Sequence, residues 1–229
     1  MRLSKEQIQQ LYTFTRQHYV EYYDVQTELV DHLANDIEQI WDKNPNLSFE
    51  QAKDISFKKF GVFGFMDVVE ARQNAMNKKY WKLVWKIFKE YFKIPQIFSM
   101  FAFFSILFTS FLVLKEHRYI YITLGIGICT ILLIRLIRLH KLKKKRFKQT
   151  GRKWIFEEYI LNSGNIGAFS YIYFQIPLQL KIQLQSVNTI GLVSLFFTFF
   201  VVMTYIILFV LPSKIEKILE NQYPEYKLV

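Results

Sequence analysis

Cysteine is nearly absent from this chain of 229 residues: Cys129 is the only one. That excludes a disulfide-stapled scaffold and a cysteine-based zinc cluster. The first 30 residues are polar and acidic and carry no apolar run, so no secretory leader is expected there. Walker-type and Rossmann-type glycine patterns are missing, as is Gly-x-Ser-x-Gly. Gly125 and Gly127 lie inside an apolar run, where small residues allow close helix packing. Disorder is excluded as well, because 52% of the residues are hydrophobic and 18% aromatic.

What is present is unevenly spread. Residues 1–71 carry 7 Lys/Arg and 12 Asp/Glu, a net of −5 (7 − 12), against +11 for the whole chain. Residues 94–114 have no charged side chain at all. At about 1.5 Å rise per residue they reach about 30 Å, the thickness of a bilayer core. Residues 119–139 form a second apolar stretch, with Arg135 and Arg138 at one end, where they can snorkel to the interface. Residues 188–211 form another, expected to stop at Pro212. Between these, residues 159–178 are apolar but carry Asn162, Ser163, Asn165 and Gln175, with Gly164 and Gly167. Those amides need partners inside a membrane, so this segment is expected to face protein, with a re-entrant segment as the alternative. The expectation is an all-α protein: a four-helix transmembrane bundle over 94–211, a cytoplasmic helical head over 1–93 and a cytoplasmic tail over 212–229.

Charge sets the orientation. Residues 72–93 hold seven Lys/Arg and one acid, and Arg135 to Lys153 hold ten with none. The two opposite loops are poor in charge, so both termini and the basic loop are expected in the cytoplasm of a bacterial cell, under its inner membrane. Lys141, Lys143, Lys144, Lys145 and Arg146 resemble a nucleic-acid patch, but their place between two spans assigns them to anionic lipid headgroups. Direct nucleic-acid binding is not expected.

The head reads as helices. Ser4-Lys5-Glu6-Gln7 and Ser48-Phe49-Glu50-Gln51 are capping boxes. Val25, Leu29, Leu33, Ile37 and Ile40 draw an amphipathic stripe on a helix over about 22–41. A short helix through Ala52, Ile55, Phe57 and Phe60 is expected to end at Gly61. A long helix over 65–93 follows, and its far half mixes aromatics and lysines in the manner of a helix lying among headgroups.

Four stretches carry a resemblance: Glu28-Leu29-x-Asp31-His32-Leu33, Leu47-Ser48-Phe49-Glu50-x-Ala52, Phe60-Gly61-x-x-x-Phe65 and Val68-Val69-Glu70. Over about residues 20–72 they resemble the small helical prefix domain that precedes membrane spans in HAAS-type proteins and some macrolide-exporter-type permeases of bacteria. The resemblance implies a neighbouring PadR-like transcriptional regulator as partner. The membrane half shows no such likeness, and it lacks the large extracytoplasmic domain of the exporter permeases.

Candidate functional residues are few. Glu28, Asp31, His32 and Asp36 lie within two turns of one helix and are the candidate partner-binding set. Glu28 and His32 stand four apart and could face one metal, but no further histidine clusters with them, so no metal is expected. Glu157 and Glu158 are expected in a salt bridge with Arg152 or Lys153, or simply hydrated, rather than in a cation or proton site. No catalytic residue and no cofactor is expected. The first functional reading is a non-enzymatic regulatory or accessory membrane protein whose acidic head binds a basic cytoplasmic protein. The second is a small transporter or transporter subunit lined by Asn162, Asn165 and Gln175, which would require a homodimer. An intramembrane enzyme is the third and weakest reading.

Overall fold

The computed structural model describes residues 2–113, 117–161, 186–223 and 226. Among them every regular element is helical. The chain divides into two compact units, one of Met1–Lys79 with Thr150–Glu158, the other of Tyr80–Gln149 with Tyr159–Leu228.

The first unit opens with α1 (Lys5–Gln17) and α2 (Tyr23–Lys43). At the start of α1 the Ser4 hydroxyl accepts from the Gln7 N–H at 3.2 Å, and the Gln7 amide oxygen accepts from the Ser4 N–H at 2.8 Å. That reciprocal pair satisfies two donors the helix leaves free. Leu11 and Thr15 of α1 are buried, as are Val25, Leu29, Leu33, Ile37 and Ile40 of α2. Between the two helices Tyr19 takes the left-handed position, φ +64, where glycine is usual. The buried Gln26 amide donates to the Val20 carbonyl at 2.6 Å and fixes the turn.

α3 (Phe49–Lys58) begins with the same reciprocal cap, Ser48 with Gln51. The Trp41 indole N–H donates to the Leu47 carbonyl at 3.0 Å and ties the end of α2 to the start of α3. The face of α3 differs from expectation: Ile55 is 40% exposed and Ser56 is 1% exposed. Ala52 and Ser56, four apart, present the narrow side on which α3 approaches α2. Gly61 and Gly64 turn the chain with φ +77 and +55. A Cβ on Gly64 would meet the Phe57 ring at 3.1 Å, so glycine is required there twice over. α4 (Met66–Glu90) then starts.

The segment Thr150–Glu158 belongs to this first unit, far from it in sequence. The Tyr23 N–H donates to the Lys153 carbonyl at 2.7 Å, and the Ile155 N–H donates to the buried Asp24 carboxylate at 3.4 Å. The Arg152 guanidinium lies 4.1 Å from the Tyr23 ring centroid, with Trp154 edge-on to the same ring at 5.2 Å. Lys153 Nζ pairs with Glu21 at 2.5 Å, so Lys153 reaches a carboxylate at the start of α2. Trp154, Ile155 and Phe156 are fully buried.

The second unit holds two helices long and apolar enough to cross a membrane: Gln96–Val113, mean hydropathy 1.9, and Val187–Ser213, mean hydropathy 2.5. We label the first α5 (Gln96–Val113) and the regular part of the second α8 (Val187–Tyr205). Leu107 and Phe111 of α5 pack against Ile190, Val193 and Phe197 of α8. Two apolar helices of this length support association with a membrane.

α6 (His117–Thr150) is one continuous helix of 34 residues. The expected basic loop is therefore helical, since no proline or glycine interrupts 128–150; Gly151 follows with φ +64. At about 1.5 Å per residue α6 is about 51 Å long, which exceeds a bilayer core. α7 (Ile155–Leu161) is short, and α9 (Ile215–Gln222) is the last α-helix among the described residues.

Pro212 does not end the last long helix. The helix passes into π-form over Ile206–Val210 and carries the buried Pro212 in its final turn, Leu211–Ser213. A proline has no N–H for the carbonyl four residues back, here Leu208. Arg135 Nε donates to that carbonyl at 2.8 Å, and its guanidinium lies 4.8 Å from the Phe209 ring centroid. Arg135 thus caps a helix rather than snorkelling freely. In α4 the far aromatic half also finds protein: Phe88 packs edge-on to Phe199 of α8 at 5.3 Å, and Tyr91 to Tyr205 at 6.4 Å. Burial pushes the Tyr80 phenol up to about 12.

Candidate functional site

Helices α2, α3 and α4 enclose an open cavity of about 410 Å³ in the first unit. Its apolar floor is Leu29, Phe60 and Val68. Its polar wall comes mainly from one face of α2: Glu28, His32, Asn35, Asp36 and Gln39. These stand at spacings of four, three, one and three, which a 3.6-residue period gathers on one side. Three of the four expected partner-binding residues, Glu28, His32 and Asp36, are thus brought together. Asp31 is exposed and does not line the cavity. It lies one residue from His32, about 100° round the helix, and so points past the opening.

Two ion pairs brace the walls. Lys59 Nζ reaches Asp36 at 2.5 Å, joining α2 to the residue that ends α3. Arg72 Nε lies 3.7 Å from Glu28, joining α2 to α4. Burial raises the Asp36 carboxyl, but the hydrogen bond and the charge of Lys59 outweigh it, holding Asp36 below the usual carboxylate range. Leu29, Ser56, Lys59, Phe60 and Val68 were not expected at a site. Leu29 and Phe60 are legible as core positions; Ser56 and Lys59 give no local signal.

The cavity has the size of a small-molecule pocket or of a socket for one or two side chains. Among the described residues no group of three or more His, Cys, Asp and Glu is placed to hold a metal ion.

The basic run on α6 divides. Lys141, Lys144 and Lys145 are exposed, and Lys143 is half-buried. Arg146 is drawn into the protein: its guanidinium pairs with Glu216 of α9 and with the Tyr226 hydroxyl, and its side chain is 12% exposed. The expected headgroup set therefore loses Arg146, because a carboxylate and a phenol in the C-terminal segment reach it first. Asn162, Asn165 and Gln175 lie outside the described residues. No protein-family model, no curated protein and no solved structure matches the chain.

Proposed function

We propose that the chain is a non-enzymatic, multi-pass membrane protein of regulatory or accessory kind, whose cytoplasmic head docks a protein partner in the α2–α3–α4 cavity. The cavity carries this reading. It is concave, floored by Leu29, Phe60 and Val68, and open along a polar helix face. Such a socket suits an apolar side chain of a partner with polar neighbours around it. The net −5 of residues 1–71 favours a basic partner and speeds its encounter. A PadR-like transcriptional regulator fits both that charge and the resemblance of residues 20–72.

In this reading α5, α6, the 159–178 segment and α8 are four spans of a bacterial inner membrane. Both termini and the basic end of α6 lie on the cytoplasmic side, with Lys141, Lys144 and Lys145 at anionic headgroups. The test is a crosslinked pull-down from native membranes, beside full-length protein carrying Asn35→Trp. Asn35 is exposed at the cavity wall, so the indole closes the mouth without entering the core. A partner captured by the natural protein and lost with the variant is the expected result. Equal capture by both sinks the cavity as the docking site.

A further inference from the structure

Two cations stand where the apolar part of α6 ends, and the chain sets no counter-charge beside them. Residues 119–134 are uncharged, Arg135 and Arg138 follow, and no acid lies anywhere in residues 117–156. Residues 187–213, the helix that Arg135 meets, carry no charge at all. Glu216, just past that helix, is taken by Arg146. Glu90 is next to Tyr91, which touches Tyr205; it is exposed and pairs with neither arginine.

Capping the Leu208 carbonyl does not account for this pair. The cap uses Nε alone. The Phe209 ring, 4.8 Å from the guanidinium and stacked on Tyr205, holds the group from one side. Arg135 is half-buried, and its Nη donors have no acceptor among the described residues. A guanidinium fixed at Nε presents its Nη edge in one orientation, which lowers the entropy lost when that edge binds. Arg138 is exposed and contributes nothing to the cap. Three residues apart on a helix, the two side chains are neighbours and repel each other. An anion between them relieves that repulsion.

The π-turn over Ile206–Val210 is a second, independent observation. Such turns are rare and gather at functional sites. Here the turn and Pro212 leave the one carbonyl that holds Arg135 in place.

The apolar surface beside the pair says which anion it meets. Ile131 is 56% exposed and Ile134 47%, and both lie within a turn of Arg135 and Arg138 on one side of α6. An apolar strip that ends in paired guanidinium groups matches an acyl chain with its phosphate; a soluble phosphate has no use for the strip. Lys141, one turn on and exposed, disfavours a headgroup that carries its own cation.

We propose that Arg135 and Arg138 bind the phosphate of one acidic phospholipid, whose acyl chain lies along Ile131 and Ile134. Arg135 supplies the oriented Nη fork and Arg138 the second charge. The site rests on the membrane reading of α6 and α8 and is independent of the cavity in the head. It holds a single lipid in one place, unlike the general attraction of lysines to headgroups.

Full-length protein in detergent, titrated with phosphatidylglycerol and followed by native mass spectrometry, tests it. The expected result is one lipid per chain, bound at least about tenfold more tightly than phosphatidylcholine. Arg138→Gln and Arg135→Lys each lower that affinity about tenfold. Arg138→Gln leaves thermal unfolding without lipid unchanged, and Arg135→Lys keeps a donor for Leu208, so lost binding is separated from lost folding. Lys217→Gln, which removes an exposed cation of α9, leaves the affinity unchanged. Equal losses in all three variants overturn the site in favour of diffuse attraction. Equal binding of phosphatidylcholine, or displacement by inorganic phosphate at the same concentration as the lipid, overturns it too. Release of the protein from native membranes by alkaline carbonate overturns the membrane reading and the site together; retention without a selectively bound lipid overturns the site alone.

Discussion

Asp36 works as a brace at the residue scale. Its carboxyl is held below the usual range by Lys59 despite burial, so the folded state prefers the ionised form. The stabilisation is present at pH above the ordinary carboxylate value and disappears as pH falls through the lowered folded one. Lys59 is more than half exposed, so the pair contributes at most about 1 kcal/mol. Urea midpoints of natural protein and Asp36→Asn are expected to differ at pH 6 and to converge as pH falls below the ordinary carboxylate range. A constant difference across that window would assign the loss to packing instead. The three cavity residues Glu28, His32 and Asp36 were legible because polar residues four apart on an amphipathic helix must share a face. Ser56 was not. A serine buried where Ile55 is exposed answers to the closeness of α2, and no local period records that closeness.

Among elements, the caps and the α2 stripe were readable because both depend on residues within a turn of one another. The last long helix was not, because Pro212 is tolerated by a partner 77 positions upstream. Arg135 supplies the donor that proline lacks. Arg135→Met leaves the Leu208 carbonyl without that donor and is expected to cost about 1–3 kcal/mol. Pro212→Ala returns an N–H to the helix, so the double variant loses less than the sum of the singles. A coupling of about 1 kcal/mol in thermal unfolding of detergent-solubilised protein is the expected reading. Strict additivity would detach Arg135 from the proline. The basic end of α6 teaches the same point in reverse. Its lysines read as a loop because charge, not helix propensity, stood out, yet lysine and arginine are good helix formers.

At the scale of the whole molecule, the first unit is discontinuous in sequence. Met1–Lys79 is completed by Thr150–Glu158, with Trp154, Ile155 and Phe156 as its buried contribution. Trp154→Ala is expected to cost about 3–5 kcal/mol, as a large buried aromatic does. Limited proteolysis is then expected to cut between residues 150 and 158, and to spare that segment in the natural protein. A loss under about 1 kcal/mol would mean that the segment only rests on the head. No reading of Arg152-Lys153-Trp154 on its own could place it against Tyr23, because the partners are about 130 residues apart and the match is one of shape, stacking and a single carboxylate.

That discontinuity also imposes an order of events during synthesis. When Lys79 is added to the growing chain the first unit still lacks its last strip, and 79 further residues (158 − 79) must be made before Glu158 exists. At about 5–20 residues per second that is a wait of roughly 4–16 s. Both α5 and α6 are translated within it. The first unit therefore closes only after both α5 and α6 have been translated, and a finished first unit certifies that the chain has been made at least as far as Glu158.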